Sequence, residues 1–188
     1  MSRALKRYIV VLALLLAALL SAIAYIMVSG YIARKLHPVH YAELVSESAA
    51  EFGVPRSVIF AVIRTESSFR PDAVSRVGAT GLMQLMPDTF NWLLSKTGES
   101  YTLEDLWDPA VNIRYGTMLL AVLYEEFGQW NTAYAAYNAG LNRVRLWLAD
   151  PDVSQDGELV AIPYPETENY VKKVVKAAAE YRRLYDIE

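Results

Sequence analysis

Between positions 8 and 33 the chain carries 26 consecutive residues without a charge, and beyond them apolar residues return every three or four positions in segments broken by glycine and proline. Coiled as a helix, the first run is about 39 Å long, against roughly 30 Å of hydrocarbon in a bilayer. The later segments predict amphipathic helices. Tyr41 to Glu51 stops at Gly53, and Pro55 suits the first turn of a helix carrying Val58, Ile59, Val62 and Ile63. Asp88 is placed to cap a helix through Trp92 and Leu94 that ends before Gly98. Asp108-Pro109 starts a long helix through Leu119, Leu120 and Leu123 to Gly128. Asn131 opens a short helix through Tyr137 ended by Gly140, and Asn142 to Leu148 reads as another. Residues 150–165, with three prolines and a glycine, read as a loop. Thr167 opens a final helix with Tyr170, Val171, Val174, Val175, Ala178 and Tyr181 as its apolar stripe. No alternating strand run and no repeat is present. The expected fold class is therefore all-α, a compact multi-helix domain over 37–188 with room for one small hairpin near 71–80. A transmembrane anchor or signal segment occupies 1–36.

One helix of this series ends on a carboxylate. Glu66 follows Ile59 by seven residues, almost two turns, and so points where the apolar face points. A carboxyl on such a face is costly to ionise, which raises its pKa and suits it to donate a proton near neutrality. The same spacing fits a frayed helix end that reaches water, and spacing alone does not choose between the two. Downstream, Gly78-Ala79-Thr80-Gly81-Leu82-Met83-Gln84-Leu85-Met86-Pro87 sets glycines beside an amide side chain and two methionines.

Composition narrows the chemistry. There is no cysteine, which removes disulfides, thiolate catalysis and a lipid-modified N-terminal cysteine. Both histidines, His37 and His40, lie just past the apolar run, so neither a zinc site nor a Ser-His-Asp triad is expected inside the body. No metal and no organic cofactor is implied, which leaves carboxylate chemistry. From position 37 onward the chain has 13 basic against 21 acidic residues, a net charge of −8, and no basic stripe, the wrong sign for nucleic acid.

The apolar run has two readings. A membrane anchor is favoured, because Tyr25 to Val28 continue the run past the small-x-small site Ala22-Ile23-Ala24. A signal peptide cleaved at that site, giving a secreted protein, is the alternative. The charges flanking the run are only slightly heavier on its N-terminal side.

Glu66-Ser67-Ser68-Phe69, Ser75 with Gly78-Ala79, and Gly81-Leu82-Met83-Gln84-Leu85-Met86-Pro87 together resemble the catalytic domain of lytic transglycosylases, the soluble type with a goose-lysozyme-like fold. Asp108-Pro109-Ala110-Val111-Asn112-Ile113 with Gly116 is similar to the family's middle helix, Ala135-Ala136-Tyr137-Asn138-Ala139-Gly140 to its asparagine motif, and Pro165-Glu166-Thr167 with Tyr170-Val171 to its closing motif. The resemblance spans about residues 42 to 182. Leu141-Asn142 and Glu168 depart from the family's usual residues.

The resemblance implies cleavage of peptidoglycan glycan strands between N-acetylmuramic acid and N-acetylglucosamine, with a 1,6-anhydro product, and a substrate outside the cytoplasm implies an anchor with the body on that side. Glu66 would be the single acid and base. Ser67, Met83, Gln84, Tyr137, Asn138 and Tyr170 would line the substrate, Tyr170 near the acid. Asn112 and Glu166 are expected to be structural. Asp72 is the nearest second carboxylate, and its position after Pro71 reads as a turn residue. A hydrolase of the goose-lysozyme kind and a non-catalytic peptidoglycan-binding scaffold stay open.

Overall fold

The computed structural model describes residues 2–188 and divides into two compact units, one ending at Pro38 and the other Val39–Glu188. The first is a single helix, α1 (Arg3–Leu36), of 34 residues. Ser2 caps it by accepting the Leu5 N–H at 3.2 Å, and Arg34 and Lys35 sit in its last turn, where cations complement the helix dipole. None of its residues is buried, and by length and composition it can cross a membrane.

The second unit holds α2 (Ala42–Phe52), α3 (Arg56–Glu66), α4 (Pro87–Thr97), a 3₁₀ segment (Leu103–Trp107) and α5 (Pro109–Phe127). It continues with α6 (Trp130–Ala139), α7 (Leu141–Leu148), a hairpin of β1 (Ser154–Gln155) and β2 (Glu158–Leu159), and α8 (Pro165–Tyr185). The mainly helical expectation holds, with each helix found within a few residues of its predicted place. Asp108 caps α5 as its position implied, accepting the Ala110 N–H at 2.8 Å.

Three local expectations change. Asp88 is not a cap: Pro87 occupies the first helical position of α4, so the cap residue is Met86 and Asp88 falls inside the first turn. The hairpin is not at 71–80, where only isolated bridges join Val74 to Thr80 and Thr80 to Leu85. It forms instead at 154–159, inside the predicted loop, with Ser154 opposite Leu159. Asp156 (φ 54°) and Gly157 (φ 81°) supply the two left-handed residues that a tight hairpin turn needs.

α3 is the centre of the core. Every residue from Ser57 to Ile63 is buried. The helix lies along α8, where Phe60 stacks on Tyr181 with centroids 5.3 Å apart. On the outside, Arg114 of α5 forks onto Glu51 of α2 (2.6 Å) and Glu99 (2.7 Å), tying α2, α5 and the segment after α4.

Past Glu66 the chain reverses through left-handed Ser68 (φ 53°) and Phe69 (φ 64°), and the Phe69 ring returns to the core between Phe60 and His40. A second reversal at Gly81 (φ 81°) brings the backbone against Asn112; a Cβ there would lie 2.1 Å from Asn112 Nδ2. Asn112, fully buried, accepts the Met83 N–H at 2.7 Å and donates to Thr80 O (2.9 Å) and Leu106 O (2.8 Å), the structural role expected of it. Glu166 has no hydrogen-bond or ion-pair partner among the described residues: it is exposed in the first turn of α8, where an acidic residue suits the helix dipole.

Gly81→Ala is expected to destabilise the domain by about 3 kcal/mol, combining left-handed strain with overpacking. Gly78→Ala, also at positive φ but with open space around it, is expected to cost about 1 kcal/mol. Chemical denaturation of the two variants side by side checks the difference.

Candidate active site

Glu66 is the last residue of α3, and its half-buried side chain sits where the core opens toward solvent. Burial pushes its carboxyl up from 4.5 to about 7. The position at a helix C-terminus, where the peptide dipoles present their negative end, disfavours the anion further. The Tyr170 phenol opposes the lift by favouring the carboxylate, and it is the smaller effect.

Tyr170 reaches the carboxyl from α8. Its hydroxyl is buried and meets no partner at full hydrogen-bond geometry among the described residues. It is nonetheless close enough to influence Glu66, and we read the pair as a loose contact rather than a closed bond. Burial, and then the Glu66 charge, hold the Tyr170 proton well above the phenol range, so it is a permanent donor.

Tyr137 forms the facing wall from α6. Its hydroxyl donates to Met83 O at 2.7 Å, and burial and the Glu66 charge keep it protonated too. Asn138, next on α6, is exposed, and its Oδ1 accepts from Thr167 Oγ1 at 2.7 Å. That bond commits the carbonyl end of the amide to the protein and leaves Nδ2 as the donor facing out.

The remaining expected residues hold the site's shape. Ser67 is buried and donates to Ile63 O (3.2 Å) and Leu82 O (2.7 Å), pinning the end of α3 to the turn after Gly81. The Met83 side chain does not line a cleft; it is fully buried against Gly116, whose missing Cβ makes room for the sulfur. Gln84, half-buried and left-handed (φ 51°), donates through Nε2 to Ala73 O and Gly81 O, both at 2.9 Å. Its Oε1 keeps acceptor capacity. Asp72 is exposed, and among the described residues no three His, Asp or Glu side chains converge as a metal would require.

The structure thus brings Glu66, Tyr137 and Tyr170 together, sets Asn138 at the rim, and turns Ser67 and Met83 inward. Thr167 was missed as a positioning residue. Its signal was its place three residues before Tyr170, on the same face of α8. Ser68, Phe69 and Gln84 are all non-glycine residues at positive φ; the first two lie just past Glu66 in the chain, and backbone strain of this kind is found at functional sites.

The raised pKa has a stability consequence. Between about 4.5 and about 7 the folded state holds a proton that the unfolded chain has lost, so Glu66 stabilises the fold less as pH rises through that window. Glu66→Gln is expected to leave stability unchanged at pH 4 and to raise it at pH 8. The shift bounds the gain near 3 kcal/mol, and water's access to the half-buried group reduces it to about 1–2 kcal/mol. Melting curves of both proteins at the two pH values read this directly.

The Transglycosylase SLT domain family matches residues 43–159. The soluble lytic murein transglycosylase of Escherichia coli K12 is 39% identical over 152 residues, covering 77% of this chain and 23% of that protein. Membrane-bound lytic murein transglycosylase C of Actinobacillus pleuropneumoniae is 32% identical over 183 residues, covering 85% of this chain and 50% of that one. The 70 kDa soluble lytic transglycosylase of E. coli superposes with a TM-score of 0.73 at 34% identity over 80% of this chain and 25% of its own. An inactive glutamate-to-glutamine mutant of the Pseudomonas aeruginosa lytic transglycosylase superposes with a TM-score of 0.70 at 38% identity, with the same coverage. The chain spans about a quarter of the length of the soluble relatives. The family match covers the end of α3, the turn after Gly81 and the Tyr137-Asn138 pair, and on it the chain belongs to the transglycosylase SLT domain family.

Proposed function

We propose that this protein is a membrane-anchored lytic transglycosylase that acts outside the cytoplasm on peptidoglycan. It cleaves the β-1,4 bond between N-acetylmuramic acid and N-acetylglucosamine and leaves 1,6-anhydromuramic acid. The observation that carries the reading is a single desolvated carboxyl, Glu66, pushed up to about 7 between two phenols.

Such a carboxyl is protonated when substrate arrives and can give its proton to the departing glycosidic oxygen as the bond to C1 breaks. The muramoyl C6 hydroxyl then bonds to C1, and its proton returns to Glu66. No water is consumed, and the acid is regenerated. Most glycosidases place a second carboxylate within reach of the first. Asp72 is exposed in a turn, and the substrate's own N-acetyl carbonyl can stabilise C1 in its place. Tyr170 steadies the carboxylate at the moment it forms, and Asn138 Nδ2 and Gln84 Oε1 offer a donor and an acceptor to sugar hydroxyl and N-acetyl groups. The names of the relatives support the substrate. The Pseudomonas protein being inactive after one Glu-to-Gln exchange supports dependence on one acid. The membrane-bound relatives and the apolar α1 support anchoring.

The test is mass spectrometry of peptidoglycan digested by the detergent-solubilised full chain, with Glu66→Gln alongside. Fragments one water lighter than reducing-end products are expected, falling by a factor of about 10² to 10⁴ in the variant. Reducing-end sugars would instead make it a hydrolase, and binding without release a scaffold.

A second expectation concerns pH. Because the carboxyl must be protonated to donate, kcat/KM is expected to fall as pH rises through about 7. Tyr170→Phe removes the group that favours the carboxylate and is expected to move that limb to higher pH while lowering kcat. A limb that stayed in place would separate Tyr170 from the acid.

A further inference from the structure

Past Glu66 and Phe69 the chain makes a tight turn that the site does not use. The Gly78 N–H donates to Ser75 O at 3.1 Å, the Ser75 N–H to Ala79 O at 2.9 Å, and Ser75 Oγ accepts the Ala79 N–H at 3.0 Å. At its base the Gly81 N–H donates to Ala73 O at 2.9 Å. On this well-tied turn Val77 is 75% exposed and Val74 54%, and no large apolar residue of 39–188 is more exposed than Val77. Arg76, beside it, is exposed and has no hydrogen-bond or ion-pair partner among the described residues. Arg70 is exposed too, with its Nε donating to Ser67 O at 3.1 Å, and Asp72 is the one acid between 67 and 87. The turn is therefore weakly basic on a body whose net charge is −8.

Valine at a turn is favoured neither by turn propensity nor, when exposed, by burial, so folding does not explain these two side chains. An apolar phase bordered by anions does, and α1 supplies one. The body begins at Val39, three residues after Leu36 closes α1, a reach of about 10 Å at full extension. His40 sets its ring edge-on to Phe69 with centroids 5.6 Å apart, so the body's first residues lie against the residue that opens this loop. We propose that the 74–78 turn is a lipid-contact site. Val74 and Val77 enter the headgroup boundary of the bilayer that α1 spans, and Arg76, with Arg70 behind it, meets the lipid phosphates. This rests on the membrane-anchored reading above. Gln84 Nε2 donates to Ala73 O at the base of the same turn, so docking sets the site beside the bilayer and favours glycan close to it.

The chain has no cysteine, so Val77→Cys can carry a single fluorophore, and Leu146→Cys, at a position 65% exposed on α7, serves as the control. The full chain is reconstituted in vesicles of phosphatidylcholine and phosphatidylglycerol that contain a nitroxide-bearing lipid. The nitroxide is expected to quench the label at 77 and to leave the label at 146 bright. Arg76→Gln is expected to lower the ratio of quenched to bright label at 77 about fivefold, and vesicles of phosphatidylcholine alone to lower it at least as far. A label at Val74→Cys is expected to be quenched as well, and Val77→Asp to abolish that quenching. Equal quenching at 77 and 146, or none at 77, overturns the proposal. So does shielding of position 77 by added glycan strands without lipid quenching, which assigns the turn to substrate. Carbonate extraction of the same vesicles reports on α1 separately. Protein stripped by carbonate overturns the anchored reading and the proposal with it, whereas a bright label at 77 on protein that resists carbonate overturns the turn's role alone.

Discussion

The domain depends on the cost of keeping one carboxyl out of water. Glu66 closes an apolar helix that is buried from Ser57 to Ile63, so its head group cannot move far into solvent without pulling α3 from the core. The reversal at Ser68 and Phe69 holds it there, because the Phe69 ring is itself anchored between Phe60 and His40. Among the described residues no cation offsets that cost, and the Tyr170 phenol is the group that opposes it. A carboxyl treated this way is destabilising as an anion and useful as an acid, which is the usual exchange between stability and function at a reactive group.

The Leu82–Met83 peptide turns that local arrangement into a two-walled site. Leu82 O receives Ser67 from α3, Met83 N donates to Asn112 of α5, and Met83 O receives Tyr137 of α6. Three helices are therefore indexed to two successive peptide units, and buried hydrogen bonds of this kind are expensive to break singly. The absence of a Cβ at Gly81 and Gly116 is what lets this peptide sit so near α5. Asn138 and Thr167 repeat the device at the rim, joining α6 to α8.

Charge distributes function along the chain. All the basic excess lies at the two ends of α1, and the domain that follows is acidic. An acidic body has no attraction for anionic polymers at large, and its exposed cations act locally, as Arg145 does on Glu126.

The sequence by itself determined the helices, because apolar spacing and the punctuation by Gly53, Gly98, Gly128 and Gly140 act over a few residues. It also singled out Glu66, through its place in an apolar series and its motif, as the carboxyl for which we propose the role of acid. The roles of the neighbours were decided elsewhere. Nothing local distinguishes a methionine beside a ligand from one filling the hollow over Gly116, or a serine facing a sugar from one binding Leu82 O. The hairpin at 154–159 was legible in Asp156-Gly157 and hidden by the surrounding prolines. Thr167's hold on Asn138 and the loose approach of Tyr170 to Glu66 both join residues of different helices. Those relations exist only once α3, α5, α6 and α8 have packed, because long-range distance and desolvation are properties of the assembled core.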